Sequence, residues 1–250
     1  MTDIIISGIC GRMGRKVLAL AGEDPETRVV CGVDLKADET TGVPVFTDFS
    51  GISAQAVVID FSSASNLGNI LSFCARTGSR AVLAATGYTD GDLESVRLAA
   101  ERTAIFKTAN LSAGIALLEK LVREAAAFLG SGFDIEIVEK HHSRKKDAPS
   151  GTALMLADAA KAGSGEEKNY VYGREGICGP REKREIGVHA VRGGTITGEH
   201  EVIFAGEDEI ITISHSARSK TVFAAGAVRA AKFLADKGPG LYTMHDILGE

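Results

Sequence analysis

The sequence predicts an α/β protein in which a parallel sheet covered by helices is combined with a second, α+β domain. In the first half of the chain, short apolar runs alternate with helical segments, a pattern typical of a parallel sheet with helices on both faces. In the second half, several strand-like runs follow one another with only turns between them, which favours antiparallel pairing.

A glycine-rich turn follows the first predicted strand, residues 4–6, and precedes a helical segment at residues 15–21. Its glycines are Gly8, Gly11 and Gly14. Glycine lets the backbone turn tightly and approach a pyrophosphate, whose charge then rests on the helix N-terminus. A second strand over residues 28–33 ends in Asp34, whose carboxylate can accept hydrogen bonds from an adenosine ribose. Although a glycine turn alone is a weak signal, this context predicts a Rossmann-type dinucleotide-binding domain.

Asp34 bears on the choice of cofactor between NADH and NADPH. The 2′-phosphate of NADPH would bring negative charge against the Asp34 carboxylate, which favours NADH. Lys36, two positions further on, can offset that repulsion. Both cofactors therefore stay open, with NADH favoured.

The alternation continues through the rest of the first half. Strands are predicted at residues 57–60, 81–84 and 104–106, and helices at 66–76 and 93–101. Ligands bind beyond the carboxyl ends of such strands, so the residues that follow them are expected beside the cofactor. These are Asp60, Phe61, Ser62, Ala85, Thr86 and Gly87. Ordinary strand-ending turns account for the same residues equally well.

Residues 139–153 form a basic, histidine-containing loop between a predicted strand at 133–138 and a predicted helix at 152–162. The loop carries His141, His142, Arg144, Lys145, Lys146 and the helix-capping candidate Ser150. A helix N-terminus favours an anion, and the cations upstream add to that preference. A solvated basic turn is the simpler alternative. The paired histidines and the helix start instead favour a carboxylate or phosphate site beside a proton-transferring imidazole.

The remaining segments suggest how the chain divides. We expect a helix at 115–129, a flexible polar loop at 163–180, antiparallel strands at 188–192, 195–204 and 209–214, and a helix at 223–234 that returns to the first domain. The predicted dinucleotide-binding domain covers residues 1–112, completed by 220–250. Residues 113–219 form the second domain.

Composition and charge exclude several classes of function. The net charge of −5 over 250 residues argues against nucleic-acid binding as the main role, because that role needs a broad basic face. The four cysteines show no metal-type spacing, so no metal site and no disulfide framework is expected. We find neither a targeting leader nor an apolar run of the roughly 18 residues that span a bilayer. A cytoplasmic protein without a membrane partner is therefore expected.

The motifs, taken in order, resemble those of the dihydrodipicolinate reductase family over essentially the whole chain. The most specific part is the run 139–153, with its double histidine, Lys145, Asp147 and the Pro-Ser-Gly-Thr helix start. Further matching segments lie at residues 11–14, 58–62, 109–112, 189–192, 198–200 and 240–246.

This resemblance implies an NAD(P)H-dependent oxidoreductase that reduces 4-hydroxy-tetrahydrodipicolinate to tetrahydrodipicolinate in lysine and diaminopimelate biosynthesis. It implies His141 as the general acid and Lys145 as its partner for catalysis and substrate charge. The small dicarboxylate substrate would be held by His142, Lys145, Ser150, Gly151, Thr152 and Thr86. It also implies that the second domain binds substrate and builds a homotetramer through its sheet.

Cofactor contacts follow from the resemblance together with the glycine pattern. They are expected at Gly8, Gly11, Arg12, Met13, Gly14, Asp34, Asp60, Phe61, Ser62, Ala84, Thr86, Gly87, Ala109, Asn110 and Leu111. Four positions depart from the family pattern: Cys10 replaces a glycine, Ala84-Ala85 replaces Gly-Thr, and Arg144 replaces a histidine. These departures bear on cofactor preference and substrate affinity, and leave the proposed acid and the carboxylate contacts intact.

Two other functions stay open. One is a two-domain dehydrogenase that acts on an amino acid such as aspartate, against which the run His-His followed by Lys-x-Asp-Ala-Pro-Ser-Gly-Thr argues. The other is a non-catalytic dinucleotide-binding subunit. Such a subunit would be free to lose His141 or Lys145, and both are present.

Overall fold

Buried aliphatic runs and short helices build two units in the computed structural model, which describes residues 1–36 and 38–249. Unit 1 comprises Met1–Ser112 and Thr221–Glu250, and unit 2 comprises Ala113–Lys220. Among the described residues, no helix combines the length and the apolar character needed to cross a bilayer.

The strands are β1 (Thr2–Ser7), β2 (Thr27–Val33), β3 (Val45–Phe46), β4 (Val57–Asp60), β5 (Arg80–Leu83), β6 (Ala104–Lys107), β7 (Asp134–His141), β8 (Asn169–Tyr172), β9 (Glu185–Arg192), β10 (Glu199–Ala205), β11 (Ile210–Ser216) and β12 (Gly240–Tyr242). The helices are α1 (Arg12–Glu23), α2 (Leu67–Thr77), α3 (Asp90–Ala100), α4 (Ala113–Leu129), α5 (Gly151–Ser164), α6 (Thr221–Leu234) and α7 (Met244–Ile247). Short 3₁₀ turns lie at Glu39–Thr41, Ala64–Asn66 and Gly130–Gly132.

The sheet of unit 1 is parallel, as the alternating pattern predicts. In the described residues its strand order is β12-β6-β5-β4-β1-β2-β3. Ile4, Ile5 and Ile6 in β1 are fully buried, because a parallel sheet with helices on both faces hides both sides of its central strands. Ile5 packs with residues of α2 and α3, and α1 packs against α6. The edge strands β3 and β12 are too short to be recognised in the sequence.

The sheet of unit 2 alternates buried and half-exposed residues along β7 and β10. Its buried face carries Ile135, Ile137, Val202 and Phe204, which pack with apolar residues of α4 and α5. This alternation is the period-two pattern that predicted a half-buried strand at 133–138. The strand continues further than expected and ends at His141.

Two expectations for unit 2 were wrong in detail. The strand order is β11-β10-β7-β9-β8 in the described residues, so only β10 and β11 form an antiparallel hairpin. β9 pairs in parallel with β7, because the segment between them contains α5 and crosses back over the sheet. The expected flexible loop at 163–180 contains the end of α5 and strand β8. β8 was missed because its residues, Asn-Tyr-Val-Tyr, include no buried apolar run of the kind that marks β4, β5 and β6.

Candidate active site

The glycine turn of unit 1 closes tightly between β1 and α1. Gly8 has a φ of +78°, and its N–H donates to the Val33 carbonyl at 2.8 Å. A Cβ added at Gly14 would lie 2.1 Å from the Gly8 carbonyl oxygen, so only glycine allows the helix to approach the turn. Gly11 caps α1 without a side-chain hydrogen bond. The first N–H groups of α1 therefore have no side-chain cap and can receive an anion.

Asp34 follows β2 and lies against this turn. Its Oδ2 accepts a hydrogen bond from the Cys10 N–H at 2.9 Å, and its Oδ1 accepts one from the Leu35 N–H at 2.8 Å. A carboxylate has about four lone-pair positions, so both oxygens retain the capacity to accept hydrogen bonds from a ligand. The sequence-predicted acidic residue is thus fixed beside the glycine turn.

A cavity of about 800 Å³ opens at this edge of unit 1. Cavities of roughly 300–1,000 Å³ are typical of small-molecule and cofactor sites. Five predicted cofactor residues line it, namely Gly8, Gly11, Asp34, Phe61 and Ser62, together with Cys10, Asn66 and other polar residues. The structure therefore brings together the predicted residues from the ends of β1, β2 and β4.

The other predicted cofactor residues of unit 1 lie outside the lining of this cavity. Arg12, Met13 and Gly14 begin α1, whereas Ala84, Thr86 and Gly87 follow β5, and Ala109, Asn110 and Leu111 follow β6. Thr86 and Gly87 are exposed, Gly14 and Leu111 are buried, and Gly87 has a φ of +88°. All of them stand near the carboxyl ends of parallel strands, where ligands bind in this class of sheet.

Asp60 occupies a different environment from its predicted neighbours. Its side chain is fully buried, and its Oδ1 accepts hydrogen bonds from the N–H and the hydroxyl of Ser62. Burial raises the pKa of Asp60 above its usual range, although the hydrogen bonds from Ser62 act in the opposite direction. Asp60 thus shapes the loop that presents Phe61 and Ser62.

In unit 2, Glu139 is the centre of a polar cluster at the end of β7. The side chain of Glu139 is fully buried and contacts three other residues. It accepts from His141 Nδ1 at 2.6 Å and from the Ser150 N–H at 2.9 Å, and each Nη atom of Arg192 donates to one of its oxygens at 2.7 Å. Burial alone raises the pKa of Glu139, but these hydrogen bonds outweigh it, so its pKa lies below the usual range.

Ser150 begins α5 and is buried. Its Oγ accepts a hydrogen bond from the Ala153 N–H at 3.2 Å and lies 3.0 Å from His200 Nε2. The predicted cap is confirmed by this geometry. Gly151 is exposed, and a Cβ added there would meet nothing within 4 Å, so open space lies in front of the helix start.

Lys145 lies on the loop after β7, and its Nζ contacts Asp147 Oδ2 at 2.9 Å. That hydrogen bond lowers the pKa of Asp147. His142 is half-buried, and its Nδ1 is buried without a hydrogen-bond partner in the described residues. The loop therefore holds an imidazole and an ammonium group close to an open helix N-terminus.

Sequence reasoning gave no role to Glu139, Arg192 or His200. Arg192 stands opposite His141 in the β7–β9 pairing, and His200 stands opposite Glu139 in the β7–β10 pairing. The rings of His141 and His200 are 5.2 Å apart. Burial, together with repulsion from His141, lowers the pKa of His200 to about 4. If the period-two pattern of β7 is extended, Glu139 and His141 fall on the same face of the strand. The pairing of β7 with β9 and β10, which brings Arg192 and His200 to that face, leaves no local signal in the sequence.

A cavity beside a glycine turn at the carboxyl edge of a parallel sheet is typical of dinucleotide-binding enzymes. The same chain also carries the imidazole and lysine cluster of unit 2. Family models described as dihydrodipicolinate reductase N-terminus and C-terminus match residues 2–111 and 114–248. The chain therefore belongs to the dihydrodipicolinate reductase family, and it is an NAD(P)H-dependent oxidoreductase of lysine and diaminopimelate biosynthesis.

Individual relatives agree with this assignment. The chain is 51% identical over 249 residues to the 4-hydroxy-tetrahydrodipicolinate reductase of Caldanaerobacter subterraneus subsp. tengcongensis, covering 99% of this chain and 98% of that protein. It is 41% identical to the Clostridium botulinum reductase, covering 100% and 99%. The dipicolinate-bound dihydrodipicolinate reductase from Paenisporosarcina sp. TG-14 shares the fold, with a TM-score of 0.80 at 24% identity over 97% of both chains.

Proposed function

We propose that the chain reduces 4-hydroxy-tetrahydrodipicolinate to tetrahydrodipicolinate with His141 as the proton donor. The observation that carries this proposal is the cluster in unit 2, where Glu139 fixes His141 beside the loop of Lys145 and the start of α5. An enzyme that binds a cyclic dicarboxylate needs cationic and N–H groups to hold the two carboxylates. Reduction of the conjugated system also needs a proton donor. The cluster offers both kinds of group on adjoining elements.

The nucleotide site is proposed in unit 1. The cavity beside the glycine turn and Asp34 fits a dinucleotide, with the pyrophosphate at the start of α1 and the ribose at Asp34. When bound, the reduced nicotinamide supplies the hydride. Arg12, Met13 and Gly14 would adjoin the pyrophosphate, and the residues after β4, β5 and β6 would adjoin the nicotinamide. Asp34 favours NADH, and Lys36 allows NADPH.

Proton transfer is assigned to Nε2 of His141. Because Nδ1 is engaged by the Glu139 carboxylate, Nε2 is the ring nitrogen left to serve a substrate. A Cβ added at Gly198 would lie 3.1 Å from Nε2, so a glycine backbone flanks this atom. Hydride addition leaves electron density on the substrate, and a histidine can supply the neutralising proton near neutral pH.

Substrate carboxylates are assigned to the loop and the helix start. Lys145 would exchange its contact with Asp147 for a substrate carboxylate, and His142 would add a second polar group. Gly151 and Thr152 would present N–H groups of α5 to the substrate. Ser150 acts indirectly, because its N–H and its hydroxyl are already engaged with Glu139, Ala153 and His200. Thr86 is proposed as a further contact from the exposed turn after β5.

A homotetramer in the cytoplasm, built through the sheet of unit 2, completes the proposal. Unit 2 then serves substrate binding and oligomerisation over residues 113–219, and residues 1–112 with 220–250 bind the nucleotide. Val191 and Ile210 support this arrangement, because they are strand residues with 44% and 69% exposure, and such apolar surface favours association. Sedimentation velocity would distinguish a tetramer from a monomer.

The direct test follows absorbance of the reduced nicotinamide while a synthase generates the substrate from pyruvate and aspartate semialdehyde. We expect oxidation of NADH, and weaker oxidation of NADPH, only when the synthase product is present. Oxidation with oxaloacetate and ammonia instead would indicate an aspartate-type dehydrogenase. If the protein binds dinucleotide but oxidises neither NADH nor NADPH, the result would contradict a catalytic role.

A further inference from the structure

Two histidines adjoin each other at the end of the buried face of unit 2, and they have unequal partners. The rings of His141 and His200 meet edge to face at 5.2 Å and 75°. The Nδ1 of His141 contacts the Glu139 carboxylate, whereas the Nε2 of His200 contacts the Ser150 hydroxyl. The Nδ1 of His200 is buried without a hydrogen-bond partner in the described residues. The carboxylate of Glu139 therefore accepts a hydrogen bond from the His141 ring, whereas the His200 ring contacts a neutral hydroxyl.

The surroundings of His141 contain few other charges. Arg192 on β9 faces it with a positive charge that is paired to Glu139, and Lys145 and Asp147 lie paired on the following loop. His200 faces it from β10, and His215 on β11 stands opposite His200. Two imidazolium rings at this distance would repel each other, so a charge on one ring disfavours a charge on the other. Glu139 is the anion that contacts one of the two rings, His141, directly.

We propose that Glu139 is a positioning residue that assigns the catalytic proton to His141 and directs it to Nε2. Its carboxylate accepts Nδ1–H of His141, which fixes the ring orientation, and its negative charge stabilises the protonated ring. His200 then stays neutral and supports the start of α5 through Ser150. This inference rests on the proposed role of His141 as the acid.

Arg192 makes this assignment possible. A buried carboxylate without a cation would tend to take up a proton itself, and it would then offer no charge to His141. The two parallel contacts of 2.7 Å from Arg192 keep Glu139 ionised. Arg192 also donates to the Asp147 carbonyl at 2.7 Å, so the same side chain ties the Lys145 loop to the cluster.

The test compares Glu139→Gln with Glu136→Gln. Glutamine at 139 keeps an oxygen that can accept from Nδ1 but removes the charge. A general acid works only when protonated, so kcat falls as the pH rises past its titration. Without the Glu139 charge, we expect that fall to move toward lower pH, and kcat at pH 8 to drop about tenfold.

Glu136 is a matched control on the opposite face of β7. Its carboxylate contacts His189 Nε2 at 2.7 Å and Arg174 and Arg181 at 2.8–2.9 Å, so it too joins a histidine to arginines. Glu136→Gln is expected to lower thermal stability without moving the pH profile of kcat. Equal pH shifts in both variants, or no shift in Glu139→Gln, would overturn the proposal.

A second measurement does not depend on turnover or on a stable variant. Nitrogen-15 NMR of the wild-type protein, labelled at its 6 histidines, reports which ring nitrogen carries hydrogen. We expect His141 to carry Nδ1–H when neutral, and the His200 ring to stay neutral at pH 6. A charged His200 ring at that pH, or Nε2–H on neutral His141, would overturn the assignment. An inactive wild-type enzyme with the expected spectrum would refute only the proposed function.

Discussion

Strand β7 carries two clusters of similar composition on its opposite faces. Glu139 joins His141 and Arg192 on the buried face, and Glu136 joins His189, Arg174 and Arg181 on the other. Hydrogen bonds from the arginines and His189 lower the pKa of Glu136 to about 2, against the effect of its burial. The same combination of glutamate, histidine and arginine occurs in both clusters, so this combination alone does not define a catalytic site.

The difference lies in what adjoins each cluster. Next to Glu139 are the start of α5, the Lys145 loop and a second histidine, which together offer a proton and anion-binding groups. Next to Glu136 is Gly187, where an added Cβ would lie 1.8 Å from the Glu136 Oε2. The arginine contacts of Glu136 hold the segment of Arg174 and Arg181 to the sheet. The neighbouring elements, and not the clusters themselves, therefore distinguish the proposed catalytic site.

Replacing one histidine of each cluster should give the largest difference in turnover between the two clusters. His141→Gln is expected to lower kcat by about 10²–10⁴-fold, because it removes the proton donor while dinucleotide binding in unit 1 stays intact. His189→Gln should retain turnover within about twofold, since its contact with Glu136 is structural. Steady-state assays at saturating substrate, with NADH binding followed by fluorescence, check both. Unchanged turnover in His141→Gln would remove the functional difference between the clusters.

The loop beside Glu139 provides the next contrast. Lys145→Ala should raise the KM for the dicarboxylate by about tenfold or more and lower kcat as well, because a charge-assisted contact with a substrate carboxylate is lost. Lys146→Ala is the control, since the neighbouring lysine is exposed and is not among the proposed substrate contacts. Initial-rate kinetics over a substrate series separate the two effects. Equal KM changes in both variants would indicate a diffuse charge effect.

Stability should also distinguish the two carboxylates. Glu139→Ala leaves Arg192 and the Ser150 N–H without their buried partner, and we expect a loss of about 2–4 kcal/mol in the free energy of unfolding. Glu136→Ala should cost about 1–2 kcal/mol, because solvent reaches its part-exposed cluster. Urea titrations of both variants measure these values. A larger loss at Glu136 would reverse the comparison.

The neutral histidine of the Glu139 cluster should make stability depend on pH. The pKa of His200 is lowered to about 4 from 6.5, so the unfolded chain binds more protons between these values. The contribution of His200 to the free energy of unfolding is therefore fully present above about pH 6.5. It falls as the pH drops toward 4, by up to about 3 kcal/mol. The difference in unfolding free energy between wild type and His200→Gln should shrink over that window. A difference that stays constant would show that His200 titrates normally.

The sequence predicted the elements better than their pairing. Local patterns sufficed for the glycine turn, Asp34, the strand before the histidine loop and the Ser150 cap, because each depends on neighbouring residues. The position of β9 beside β7, and hence of Arg192 beside Glu139, depends on a crossover that leaves no local trace. The same holds for His200, which reaches Glu139 only through the β7–β10 pairing. The full burial of Asp60 also depends on packing that the strand pattern does not specify.

Deuterium transfer is the most direct test of the central claim that the chain passes hydride to the cyclic dicarboxylate. Wild-type protein would be given NADH labelled with deuterium at either face of C4, together with synthase-generated substrate in ordinary water. Mass spectrometry of the product should show one added deuterium with one of the two labelled cofactors, formed at a rate that His141→Gln lowers about 10²-fold or more. A product without deuterium from either cofactor would contradict hydride transfer by this protein.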